Sequence, residues 1–220
     1  MSGNKIYIIG AGGFAREVLN VYIDSGREND VLGFLEENCT REGELLNDKP
    51  IYDISVLENS DRKNIKLICG IGTPLRKKLI EYTKKLGYDY DTIIHPNVVK
   101  SRWVEIGEGC IICAGNIITT QVSIGDFTII NLDCTIGHDV TIGKYTNISP
   151  GVNVSGRVSI GDECFIGTGA AVVPNVSIGN RCFIGAGAVV TKDIPDNVLA
   201  VGVPAKPIKK LTEHDWRRMI

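Results

Sequence analysis

The three histidines of the chain have the most capacity for chemistry, and their settings differ. His138 stands beside Asp139 in the run Ile136-Gly137-His138-Asp139. An imidazole titrates near neutrality, and a neighbouring carboxylate raises its basicity and fixes its tautomer, so the pair suits a general base. An exposed, chemically idle corner is the competing reading of the same four residues. His95 precedes a proline and His214 lies in a charged tail (TEHDWRR), settings that suit structural or solvent-facing roles.

A second candidate lies near the N-terminus. Gly10, Gly12 and Ala15 satisfy the permissive GxGxxA dinucleotide pattern, and Glu36 falls about where a ribose-binding acid would sit. An NAD-dependent reductase is therefore a competing reading. Against it, this half of the chain ends by about residue 95, which leaves room for a single mononucleotide unit. A helix start with bare backbone amides accepts any phosphate, whether in NAD or in a nucleotide sugar. Cys110 and Cys113 form a CxxC, but no second pair or His follows at zinc spacing, so buried structural thiols in a reducing compartment are expected and no metal.

The elements that must hold these groups are read from periodicity. Stepping by six from Ile106 to Val190 meets fifteen positions, twelve Ile and three Val, without interruption. A helix repeats its apolar face every three or four residues and a strand every two, so a period of six predicts a β-helix. In it each hexapeptide makes one side of a triangular coil and sends one aliphatic side chain inward. Eighteen residues close a coil, and residues 98–195 build about five coils spaced about 4.8 Å apart. Gly recurs at the place after the stripe (Gly107, Gly125, Gly137, Gly143, Gly161, Gly167, Gly179, Gly185), where the backbone is expected to turn sharply or to need positive φ. Cys110, Cys134, Cys164 and Cys182 share the place two before it, as small residues filling the wall.

The first half alternates strand and helix: strands at 5–9, 31–35, 66–71 and 91–94, helices from the Gly10–Gly13 turn to about Ser25 and from after Pro74 through Lys85. The expected organisation is an α/β, Rossmann-like βαβ domain over residues 1–95, followed by an all-β parallel β-helix with a C-terminal tail over residues 96–220. Net charge is −2 from 24 basic and 26 acidic residues with no like-charge block, so nucleic acid is not an expected partner. The N-terminal apolar run is too short for a signal peptide or a membrane span, and a soluble cytoplasmic protein is expected.

The repeats, followed by Val201-Gly202-Val203-Pro204-Ala205-Lys206, resemble the hexapeptide-repeat acyltransferases. The opening KIYIIGAGGFAREV, the Ile94-His95-Pro96 junction and the IGHD corner are similar to a narrower group of these: the bacterial nucleotide-aminosugar N-acetyltransferases and the related sialic acid O-acetyltransferases. The resemblance implies a left-handed β-helix and acetyl-CoA as co-substrate. It also implies His138 as the catalytic base and Asp139 as the acid beside it. Asn147 stands where some relatives carry a second His that helps bind the acetyl donor. Gly156, Thr168 and Ala186 match positions whose backbone contacts acetyl-CoA, and Lys206 lies in the tail motif flanking the CoA. Gly12, Gly13, Phe14, Glu36, Glu37 and Thr73 lie in the regions that hold the nucleotide sugar.

Coil arithmetic bears on these implied roles. Gly156 is His138 plus eighteen, one coil above it at the same corner, where a backbone N–H could reach an oxyanion. Thr168 and Ala186 are also eighteen apart but fall at a different corner. Both corners meet one ligand if three prisms pack about a threefold axis, which predicts a homotrimer with interfacial active sites. The expected activity is acetyl transfer from acetyl-CoA to a nucleotide-linked amino sugar, of the 4-amino-4,6-dideoxyhexose kind, in bacterial glycan synthesis. Its rivals are O-acetylation of a sugar hydroxyl and a non-catalytic nucleotide-sugar-binding trimeric scaffold.

Overall fold

The computed structural model describes residues 4–219. The chain divides into two compact units, Met1–Gly72 with Arg76–Pro96, and Thr73–Leu75 with Asn97–Ile220.

In the N-terminal unit β1 (Lys5–Ile9) is buried over four of its five residues and leads through Gly10–Gly12 into α1 (Gly13–Asp24). The chain then lays down β2 (Val31–Glu36), a hairpin of β3 (Leu45–Leu46) and β4 (Lys49–Asp53), β5 (Ile65–Cys69), α2 (Lys77–Lys85) and β6 (Asp89–Tyr90). The strand order is β3-β4-β2-β1-β5-β6, and all pairs are parallel except β3 with β4. Ile8 is opposite Phe34 on one side and Ile68 on the other. Chain progression runs outward from β1 to β4, then returns to the other flank of β1. The order therefore reverses beside β1, and a crevice opens beyond the carboxyl ends of β1 and β5.

The expected strands and helices occur with small shifts. β5 ends two residues early because Gly70 passes under α1: a methyl group on Gly70 would lie 2.7 Å from the Ala15 Cα. Ala15 thus serves close packing of helix on strand, and it is fully buried. The expected strand at 91–94 is split into Asp89–Tyr90 and Ile93–Ile94.

From Val99 to Val190 every rung is two or three residues long, and successive rungs of one side pair in parallel eighteen residues apart. The first side of the prism runs from Val99–Lys100 through Ile117–Ile118, Thr135–Ile136, Asn153–Val154 and Ala171–Val172 to Val189–Val190. The second runs from Val104–Ile106 to Ser177–Ile178, and the third includes Ile111–Ile112, Ile129–Ile130, Asn147–Ile148, Phe165–Ile166 and Phe183–Ile184. From Ile112 to Val190 every stripe residue is buried. At about 1.5–3 kcal/mol for each side chain, that row contributes tens of kcal/mol gross against chain entropy.

The wall cysteines are free thiols with a second task. Cys110, Cys164 and Cys182 donate to the carbonyls of Gly125, Gly179 and Pro195 at 3.2, 3.0 and 3.0 Å, and Thr128 and Thr146 do the same to Gly143 and Gly161. A small donor at this place satisfies a carbonyl that the rungs leave unpaired. The turn expectation needs correction. The glycines after the stripe have ordinary φ; left-handed φ falls instead three places after the stripe, at fourteen successive corners from Gly109 to Gly187. Nine of these are not glycine, Asp139 (φ 58°) and Arg157 (φ 58°) among them. The glycines after the stripe are needed for clearance: methyl groups on Gly143 and Gly167 would lie 2.4 and 2.6 Å from the next coil.

The column ends in a reversed hairpin. Val198–Val201 continues the third side, and Lys206–Lys210 pairs antiparallel to it with all five residues exposed. The C-terminal helix Glu213–Met219 follows, with Trp216 5.9 Å from the Phe183 ring. Among the described residues no helix is long and apolar enough to cross a membrane.

Candidate active site

His138 lies at the first corner, between Thr135–Ile136 and Thr141–Ile142. Its side chain is half exposed, and Nδ1 is 2.7 Å from Asp139 Oδ2. Asp139 takes the left-handed conformation, and its N–H donates to the Thr120 carbonyl one coil below (3.1 Å), so the carboxylate is anchored by the turn itself. With Nδ1–H donated to the carboxylate, Nε2 carries the lone pair. Nε2 has no hydrogen-bond partner among the described residues.

Gly156, one coil on, is buried beneath the imidazole. A methyl group there would lie 2.5 Å from His138 Nε2 and 2.7 Å from Cε1, so only glycine leaves room for the ring. Arg157 N–H donates to the His138 carbonyl at 2.8 Å, and its Nε to Asn175 Oδ1 at 2.7 Å, which ties this corner through three coils. The Gly156 N–H has no acceptor among the described residues.

Thr168 and Ala186 lie exposed at the third corner, between the third and first sides, and Gly187 N–H donates to the Thr168 carbonyl at 2.8 Å. They stack on one another and are not brought to His138 within one chain. Asn147 lies on the third side instead, buried on the rung Asn147–Ile148, with Nδ2 3.3 Å from Ser149 Oγ and Oδ1 without a partner. Lys206 is exposed in the terminal hairpin.

In the N-terminal unit Gly12 caps α1 with no side-chain hydrogen bond and no acidic residue in the first turn, which leaves the amides of Gly13 and Phe14 bare at the positive end of the helix. The Phe14 ring lies 3.7 Å from where a methyl group on Gly72 would be. Glu36, at the end of β2, is already engaged: Arg41 Nη2 and Nε reach its two oxygens at 2.6 and 3.1 Å, and the same Nη2 reaches the Ala11 carbonyl at 3.3 Å. That guanidinium holds the Glu36 carboxyl below its ordinary value. Arg41 was invisible to sequence reasoning, because it sits in a loop with no periodicity. Glu37 is exposed, and Thr73 groups with the C-terminal unit. His95 Nε2 pairs with Asp24 Oδ2 at 3.0 Å, a structural setting. No group of three or more His, Cys, Asp or Glu that could hold a metal occurs among the described residues.

Coils of six-residue sides with an imidazole and an unpaired amide at one corner are the build of a hexapeptide-repeat transferase, and residues 157–192 match the bacterial transferase hexapeptide (six repeats). Residues 5–83 match the PglD N-terminal domain. No curated protein matches the sequence. Among solved structures, a variant of perosamine N-acetyltransferase from Caulobacter crescentus, in complex with CoA and GDP-perosamine, is 34% identical with TM-score 0.87, covering 94% of this chain and 97% of that one. The acetyltransferase domain of PglB from Neisseria gonorrhoeae FA1090, in complex with acetyl coenzyme A, is 29% identical with TM-score 0.87, covering 94% and 100%. WeeI from Acinetobacter baumannii AYE is 29% identical with TM-score 0.86, covering 93% and 99%. The chain belongs to the hexapeptide-repeat sugar acetyltransferases.

Proposed function

We propose that the protein transfers the acetyl group of acetyl-CoA to the amino group of a nucleotide-linked sugar, of the 4-amino-4,6-dideoxyhexose kind, for bacterial glycan synthesis. The observation that carries this is the His138–Asp139 pair with Nε2 unpartnered above Gly156. His138 Nε2 takes a proton from the amine as its nitrogen attacks the thioester carbonyl. Asp139 holds the ring and stabilises the imidazolium that forms. The oxyanion of the tetrahedral intermediate is stabilised by a backbone donor, for which the unpaired Gly156 N–H is the candidate. The C–S bond then breaks, and the departing CoA thiolate takes the proton from the imidazolium. Catalysis on this reading is positioning and proton transfer at the corner.

Thr168 and Ala186, with amides that no described acceptor uses, are assigned to the CoA, with Asn147 and Lys206 as further donor-binding residues. Gly12, Gly13, Phe14, Glu36, Glu37 and Thr73 are assigned to the nucleotide sugar. The first side is the face flanked by both the His138 and the Thr168/Ala186 corners. Its outward row is Val99, Ile117, Thr135, Asn153, Ala171 and Val189, with no charge, and Val99 and Ile117 are 64% and 47% exposed. Three such faces turned toward a threefold axis bring the His138 corner of one copy against the Thr168 corner of the next. This supports a homotrimer with interfacial sites.

The test is thiol release from acetyl-CoA with amino and hydroxyl sugars linked to UDP, GDP and dTDP. Release with an amino sugar, lowered about 10²–10⁴-fold in His138→Ala at unchanged melting temperature, is expected. Release only with hydroxyl sugars replaces N- by O-acetylation. Absence of acetyl-CoA binding in calorimetry overturns the enzyme reading in favour of a scaffold.

A further inference from the structure

The loop after β2 is rich in acids and holds one cation. Residues 36–44 contain four glutamates and a single basic side chain, Arg41. Backbone contacts fasten the loop on both sides of that residue. Cys39 N–H donates to Asp53 Oδ2 at 2.9 Å, Gly43 N–H to the Ile51 carbonyl at 2.8 Å, and Ile51 N–H to the Glu44 carbonyl at 2.9 Å. Arg41 is thereby delivered to one place. There its Nη2 spans two groups, donating to Glu36 Oε1 at 2.6 Å and to the Ala11 carbonyl at 3.3 Å, while Nε donates to Glu36 Oε2 at 3.1 Å.

Glu36 ends β2, and Ala11 lies in the turn from β1 into α1, so a single nitrogen separates the carboxylate from the turn. Left bare, that carboxylate would repel any phosphate approaching the turn. The guanidinium cancels its charge and holds the Glu36 carboxyl below its ordinary value. Partly exposed ion pairs of this kind contribute little to folding. The bond to Ala11 adds nothing to the pairing with Glu36, but it sets the positive charge against the turn.

We propose that Arg41 is a positioning residue for the nucleotide-linked substrate: it neutralises Glu36 beside the turn into α1 and so admits a diphosphate to the N-terminal unit. The argument is one of charge balance. A nucleoside diphosphate brings further negative charge to a loop that already carries Glu36, Glu37, Glu42 and Glu44, and Arg41 is the one cation of that loop. It acts through Glu36 rather than by touching the ligand, because both N–H groups of Nη2 and that of Nε are already spent. This inference rests on the assignment of the nucleotide sugar to the N-terminal unit.

The experiment titrates the intact protein and its variants with GDP, UDP and dTDP in calorimetry, beside kcat and KM for the amino sugar nucleotide that releases thiol. Arg41→Gln should weaken the nucleoside diphosphate about tenfold or more and raise the sugar-nucleotide KM by the same factor, with kcat and the acetyl-CoA KM unchanged. Arg41→Lys, which keeps the charge and loses the fork, should stay within about threefold of the parent. In a Glu36→Gln background the same Arg41→Gln change should cost about twofold or less, because no carboxylate remains to be neutralised. An equal loss in both backgrounds overturns the proposal, since Arg41 then meets the ligand itself. So does unchanged affinity in Arg41→Gln, or a rise in the acetyl-CoA KM along with the other. If none of the three nucleotides binds the parent protein, the nucleotide-sugar assignment falls and the proposal with it, whereas binding without the expected coupling to Glu36 removes the proposal alone.

Discussion

The His138 ring fits its corner only because of what Gly156 lacks. With 2.5 Å between Nε2 and the place of a methyl group, Gly156→Ala should push the imidazole off its corner at little cost to folding, since φ at 156 is ordinary. Turnover should fall about a hundredfold, as expected for angstrom-scale misplacement, at a melting temperature close to that of the parent. Asp139→Asn is the matching test of orientation. Asn tolerates the left-handed φ of 58°, so the turn survives while the carboxylate that fixes the tautomer is lost. A drop of about a hundredfold or more in kcat with unchanged circular dichroism is expected. Both contacts were legible in the sequence, the first because an eighteen-residue step is a direct statement of adjacency in a three-sided coil and the second because Asp139 follows His138 in the chain. The Arg41 latch on Glu36 was not legible, because irregular loops carry no period from which contact can be inferred.

At the scale of the coil, the two special positions of the hexapeptide divide the work. The residue after the stripe gives clearance and the residue three after it carries the turn, a division that composition hides because glycine occurs at both. Gly143→Ala would set a methyl group 2.5 Å from the Gly161 carbonyl carbon, and should destabilise by about 1–3 kcal/mol in urea denaturation. The buried thiols, one on β5 and one in the wall of the prism, give a second measurement. Burial pushes Cys69 and Cys134 up from 9.0 to about 11. In the unfolded chain these thiols ionise at their ordinary value, so between pH 9 and 11 the unfolded state has fewer bound protons. Their contribution to stability is therefore whole below pH 9 and declines as pH rises through that window, which alkaline melting curves would register. In native protein at neutral pH, Cys39, the one cysteine of the seven that is not buried, should be the only thiol to react quickly with a disulfide reagent. The hairpin β3–β4 escaped sequence reading because Lys49–Asp53 is short, charged at both ends and holds Pro50, features that argue against a strand.

For the whole molecule, the chief expectation is assembly. Ile117 is 47% exposed in the middle of an uncharged face, so Ile117→Glu should cost the single chain little. In sedimentation it should convert the proposed threefold particle to monomers, with turnover lost, since each proposed site draws on two copies. A monomer that retains full turnover would show that one chain is sufficient.

The terminal hairpin has a further consequence. A pile of parallel rungs, each presenting unpaired amides and carbonyls to whatever lies above, is in principle a template that could grow without limit into a fibre. Here Lys206–Lys210 runs against the grain of the stack, brings three lysines and Pro207 to its outer edge, and leaves no matching register for another rung. On the third side the stack is thereby closed to a further parallel rung.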